Sequence, residues 1–161
     1  MSYSVNVQNL PRESQPGAFI NFFPEELPSA VLKHQVRTWM AEQNFSIQEE
    51  DEYLAFQLGS SFAAVFCYQM PLASGAVRCL SLQAYALGRY GAQFLDEADL
   101  AAVNQKLEVG CLVRGHKKQV LFVYNVLAQG MERAGFFNML DTFKQGIDKT
   151  EQQIQMLLST T

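Results

Sequence analysis

The sequence predicts an α+β fold: an antiparallel sheet of about five strands with helices, in the order α-β-β-β-α-β-β-α. Three observations point there. The run Val120-Leu121-Phe122-Val123-Tyr124-Asn125-Val126-Leu127 is almost wholly apolar and rich in β-branched and aromatic residues, as the middle of a sheet requires. Upstream, residues 53–58, 62–69 and 77–87 read as three strands separated by Gly, Ser and Pro. Three other stretches repeat their apolar residues at helical spacing.

Composition narrows the class. With 48% hydrophobic and 17% charged residues among 161, the chain is excluded from the disordered proteins and is long enough for one domain with a sizeable core. The 12 basic and 16 acidic residues leave a net charge of −4, which opposes nucleic acid as a partner unless the basic residues cluster. No apolar run approaches the roughly 20 residues of a membrane span, and the first residues show no basic segment leading into an apolar one. No membrane association and a cytoplasmic location are therefore expected. Cys67, Cys79 and Cys111 fall in predicted strands without a Cys-x-x-Cys spacing, so they read as reduced thiols.

In chain order, residues 1–18 contain Pro11, Pro16, Gly17 and few large apolar groups, which predicts a flexible arm ahead of a single domain at 19–161. Phe19, Ile20, Phe22 and Phe23 then form an aromatic patch expected to staple that arm to the domain. The first helix, from 28 or 29 to 43, places Leu32, Val36, Trp39 and Met40 on one stripe with Lys33, Arg37 and Glu42 facing away, and Asn44 suits its end. A second helix, 96–107, is capped by Asp96 with Asp99 three residues on, and Leu100, Val103 and Leu107 make its stripe. The last helix runs from 130 or 131 to 158, its Phe136, Leu140, Phe143, Ile147, Ile154 and Leu157 forming a heptad seam with Thr150 in the skipped place. Gly135 and Gly146 each weaken this helix by roughly 1 kcal/mol relative to Ala, so packing must hold it.

The turns set a register. Turns at Gly59-Ser60-Ser61 and at 70–76 place Leu58 opposite Phe62, Leu54 opposite Phe66 and Phe66 opposite Leu80, with Phe56 beside Ala64 and Leu82. These residues make the expected core face. Tyr53, Gln57, Val65, Cys67, Cys79, Gln83 and Tyr85 make the second face, with Cys67 opposite Cys79. In the last hairpin a four-residue turn, 115–118, pairs Arg114 with Gln119. Cys111, Val113, Phe122, Tyr124 and Val126 then face the core, and Leu112, Leu121, Val123 and Leu127 face the other way. Both faces are apolar. Helices on one side only would leave the second set for association, which makes Leu112, Leu121, Val123, Val65 and Tyr85 the candidate partner- or dimer-binding residues. The competing reading is that the final helix or the patch near Phe22 covers this face within one chain.

Residues that carry chemistry are sparse. His34 and His116 stand alone, without the spacing of a metal site or a Cys-His nucleophile. Glu49-Glu50-Asp51-Glu52 lacks the alternation and Gly of a calcium loop and reads as a solvated turn. Gly88-Arg89-Tyr90-Gly91 has the form of an RNA-clamping loop but leaves a strand instead of joining two helices. Arg114, His116, Lys117 and Lys118 form a basic turn, the candidate anion-binding site of an alternative nucleic-acid or phospholigand module. No Gly-x-x-x-x-Gly-Lys, Gly-x-Ser-x-Gly or His-Glu-x-x-His occurs, so no catalytic residue, metal or cofactor is expected.

Leu32 to Trp39, Leu100-x-x-Val103-Asn104, Gly110-x-Leu112, Leu121 to Leu127 and the Phe136, Leu140, Phe143 stripe together resemble the type III secretion chaperones and the related YbjN-like proteins, over roughly residues 27–158. The resemblance implies a non-enzymatic role. Chaperones of this kind are small acidic homodimers that hold an extended segment of another protein against apolar grooves, and regulatory roles are suggested for the YbjN-like relatives. The implied partners are thus a second copy of the chain and an extended protein segment.

Overall fold

In the computed structural model, which describes residues 19, 27–73, 75–85, 95–115 and 119–159, the expected order of elements is present with two short strands added. The elements are β1 (Leu27–Pro28), α1 (Ala30–Glu42), β2 (Ile47–Glu49), β3 (Tyr53–Leu58), β4 (Ser61–Leu72), β5 (Gly75–Tyr85), α2 (Glu97–Asn104), β6 (Cys111–Arg114), β7 (Val120–Leu127) and α3 (Arg133–Ser159). The seven strands form one antiparallel sheet in the order β2-β3-β4-β5-β7-β6, with β1 pairing β4 off this path. Residues 1–18, Ile20, Phe22 and Phe23 of the aromatic patch, the 88–91 loop and residues 116–118 lie outside the described residues.

Local chemistry explains the helix ends. Ser29 caps α1, its Oγ accepting from the Leu32 amide at 3.3 Å, while its own amide donates to the Cys67 carbonyl at 2.9 Å and so fixes the helix start on β4. Asn44 ends the segment at φ 62, the left-handed conformation that Asn tolerates. Asp96 and Asp99 form a reciprocal capping box on α2, with bonds of 2.8 and 3.2 Å. At its other end Asn104 reaches β6: the Leu112 amide donates to Asn104 Oδ1 at 2.6 Å and Asn104 Nδ2 donates to the Leu112 carbonyl at 3.1 Å. This side chain pairs with an outermost strand as a neighbouring strand would, which blunts that edge.

All three helices pack on one face of the sheet. Their buried residues, among them Leu32, Val36, Met40, Leu100, Val103, Phe136, Leu140, Phe143, Ile147 and Ile154, share one cluster with Leu54, Phe56, Leu82 and Phe122 of the strands. At the centre Phe122 stacks on Phe143, ring centroids 5.6 Å apart. Trp39 is half-buried against Phe136 in the same layer.

The observed register differs from the expected one by one residue at each of three connections. Gly59, at φ +61, makes a two-residue turn with Ser60, so Leu58 pairs with Ser61 and Leu54 with Val65. The β4–β5 ladder runs on to Leu72 opposite Gly75, which pairs Val65 with Leu82 and Cys67 with Leu80. At the last hairpin Arg114 pairs with Val120, and the Gly115 amide donates to the Gln119 carbonyl at 2.7 Å. A slip of one residue exchanges the two faces of a strand. Val65 and Leu112, expected on the second face, are therefore buried in the helix-covered core, at 0% and 3% exposure. Phe62, Phe66 and Val113, expected in that core, belong to the second face. Cys67 does not face Cys79, and the three cysteines form no disulfide.

Candidate functional site

The second face of the sheet is ordered into rows by its register. Gln57, Phe62, Tyr85, Leu121 and Val113 lie side by side across β3, β4, β5, β7 and β6. The next row is Ala55, Ala64, Gln83, Val123 and Cys111, followed by Tyr53, Phe66, Ser81 and Asn125, then Tyr68, Cys79 and Leu127. Two rows that carry rings, Phe62 and Tyr85 in one and Tyr53 and Phe66 in the other, thus flank a row whose β3 and β4 members are alanines. The face carries a shallow trough with an alanine floor and aromatic walls.

Phe19 occupies that trough. Its ring lies 5.6 Å from Tyr53, 5.5 Å from Phe62 and 5.4 Å from Tyr85, centroid to centroid, the first and last in edge-to-face geometry. Tyr53 belongs to the row on one side of the alanines, and Phe62 and Tyr85 to the row on the other. Phe19 is 7% exposed and shares a cluster with Ala55, Ala64, Phe66, Tyr68, Leu121 and Val123. Of the candidate partner-binding residues, Tyr85, Leu121 and Val123 are on this face, and Leu121 and Val123 are buried. One member of the aromatic patch that the sequence offered as a cover for this face, Phe19, thus lies on it.

The far end of the same face is open. Leu127 is 69% exposed beside half-buried Cys79, its partner across the ladder. Ser81, 1% exposed, has no hydrogen-bond partner for its Oγ among the described residues.

The other candidates are engaged elsewhere. Arg114 Nε donates to Glu97 Oε1 at 2.9 Å and the same guanidinium donates to the Leu95 carbonyl, so this member of the basic turn is held to the start of α2. His116, Lys117 and Lys118 lie outside the described residues. The acidic run is answered by α1: Lys33 donates to the Glu50 and Asp51 carbonyls, and Lys33 and Arg37 pair with Glu49 at 3.6 and 3.7 Å. His34 Nδ1 lies 3.2 Å from the Arg37 guanidinium on an exposed helix face. Among the described residues no group of three His, Cys, Asp or Glu side chains comes together in a way that could hold a metal ion. Burial pushes the Cys67 thiol up to about 12, only partly offset by Lys33, and also raises Cys111. Such thiols are held protonated, the poor state for a nucleophile. A cleft between α2 and α3, lined by Ala102, Val103, Lys106, Gln153, Met156 and Leu157, holds about 190 Å³, below the roughly 300 Å³ at which ligand pockets begin.

Sequence reasoning, which offered the aromatic patch as one of two covers for this face, missed the alanine row and did not single out Phe19 as the patch residue lying on it. The available signal was Gly59: reading Gly59-Ser60 as a two-residue turn aligns Ala55 with Ala64 and brings Phe62, Phe66 and Tyr53 to one side.

No family model matches the chain, and no curated protein matches it. The chain is similar in structure to YbjN from E. coli, a proposed transcription regulator, with a TM-score of 0.45 and 14% sequence identity over 79% of this chain and 91% of that one. Among the described residues no helix is long and apolar enough to cross a membrane.

Proposed function

We propose that the chain is a non-enzymatic binding domain of regulatory type, which holds an extended apolar segment of another protein along the second face of its sheet and works as a homodimer. One observation carries this reading. The face opposite the helices is lined by Tyr53, Phe62, Phe66, Tyr68, Tyr85, Leu121 and Val123, and a residue from outside every strand and helix, Phe19, is laid into it. Apolar surface removed from water on such a face contributes roughly 25 cal/mol per Å², offset by the cost of ordering the bound segment.

The exposed Leu127 at the open end of the face supports self-association there. Sedimentation velocity across the micromolar range tests it. The expected result is a dimer for the native chain and a monomer for Leu127→Glu, the two melting at the same temperature only when the native chain is dilute enough to be monomeric, because this side chain is 69% exposed and dimer formation itself raises the melting temperature. A strict monomer for the native chain at every concentration would remove the homodimer from the proposal.

A further inference from the structure

The trough beneath Phe19 has the geometry of a recognition socket, and its present occupant has the features of a ligand. The floor is set by Ala55 and Ala64, paired across β3 and β4, where larger side chains would fill the space the ring takes. The walls are the rings of Tyr53, Phe62 and Tyr85, each within 5.6 Å of the Phe19 centroid. Rings met edge-on select another ring over an aliphatic chain of equal size. Phe19 itself belongs to no strand or helix, and residues 20–26 separate it in sequence from β1, whose Leu27 pairs with Gln69 at one side of β4.

We propose that this socket recognises an aromatic side chain presented on an extended segment of another protein, and that Phe19 fills it in cis, so that the chain's own N-terminal part and the partner compete for one site. The inference rests on the segment-binding reading above and adds to it the chemistry of the partner and a built-in brake. A residue tethered this closely acts at an effective concentration on the order of millimolar. If the same segment as a free peptide binds at about 100 μM, the tether lowers the apparent affinity for any competitor about tenfold.

The test uses the full-length chain in its native form and as Phe19→Ala and Phe19→Leu, titrated into a fluorescein-labelled peptide of residues 14–21, Ser-Gln-Pro-Gly-Ala-Phe-Ile-Asn, and followed by anisotropy. A control peptide carries Ala in place of its Phe. The expected result is about tenfold tighter binding of the Phe peptide by Phe19→Ala than by the native chain, with Phe19→Leu between them and the control peptide ignored by all three. Equal binding of the Phe peptide by the native chain and Phe19→Ala overturns competition in cis and leaves segment binding standing. Equal binding of both peptides by Phe19→Ala overturns aromatic selectivity. Binding by none of the three overturns the socket and the segment-binding reading together. Should Phe19→Ala be unfolded at the assay temperature, Phe19→Leu, which keeps most of the apolar bulk, carries the comparison with the native chain.

Discussion

Two glycines of α3 respond in opposite directions to the same substitution. Gly→Ala in a helix interior gains about 1 kcal/mol from propensity alone. At Gly146, however, the added Cβ meets the Phe122 ring, 2.5 Å from Cζ and 2.9 Å from Cε1, where carbon atoms in contact stand about 3.5–4.0 Å apart. The helix and the ring must therefore separate by about 1 Å. Phe122 has no room to give. It is 0% exposed, stacks on Phe143, and is closed on another side by Gly110, whose own added Cβ would lie 2.5 Å from the same Cζ. Overpacking of this kind costs about 1–3 kcal/mol or more, so Gly146→Ala is expected to destabilise by about 1–2 kcal/mol net. At Gly135 the nearest atom to an added Cβ is Met131 Cγ at 3.8 Å, an ordinary contact, so Gly135→Ala is expected to stabilise by about 0.5–1 kcal/mol. Urea denaturation followed by far-UV circular dichroism measures both, and adding Phe122→Leu to Gly146→Ala should recover part of the loss through coupling of the two sites. Equal stabilisation by Gly135→Ala and Gly146→Ala would refute the close contact between α3 and β7.

Three further outcomes follow from the packing. The Cys67 thiol is raised from its ordinary 9.0 to about 12, so its contribution to stability is full below pH 9.0 and is lost as pH climbs toward 12, at about 1.4 kcal/mol per pH unit. The difference between native and Cys67→Ala denaturation free energies should therefore shrink above pH 9.0 and stay constant below it. Asn104→Leu removes both bonds to the Leu112 backbone and should cost about 1–3 kcal/mol, with faster hydrogen exchange at the Leu112 amide as the local readout. Ser81→Ala deletes a buried hydroxyl without a partner among the described residues and should raise the denaturation free energy by about 1 kcal/mol.

The elements were legible in the sequence where a long segment repeats one pattern. The stripe of Leu32, Val36 and Met40 and the Phe136–Ile154 seam bury the residues their spacing predicts, and the Asp96–Asp99 cap closes the start of α2 as its spacing predicts. β1 and β2 span two and three residues, too few for any period to register. The faces divide more instructively. β5 sets Leu80 and Leu82 against Gln83 and Tyr85, and β7 sets Phe122 and Tyr124 against Leu121 and Val123, and both lie as read. β4 is apolar on both sides from Phe62 to Tyr68, and β6 offers Cys111, Leu112 and Val113, so neither strand declares its own face. Their orientation depended wholly on the turns, and a turn shorter or longer by one residue moved Val65 and Leu112 into the core and Phe62 and Phe66 out of it. The site was accordingly half visible: Tyr85, Leu121 and Val123 could be placed, whereas the alanine floor needed the correct turn at Gly59.

The most direct measurement of the binding face uses its separation from Trp39, the single tryptophan, which packs against Phe136 on the helix side. In Phe19→Ala protein labelled on its tyrosine and tryptophan rings, NMR spectra are recorded as the Phe-containing 14–21 peptide is added. The ring signals of Tyr53 and Tyr85 should move in proportion to peptide bound while the Trp39 indole stays in place. Movement of the Trp39 signal with Tyr53 and Tyr85 unchanged would put the bound segment on the helix-covered side and contradict a binding role for the second face.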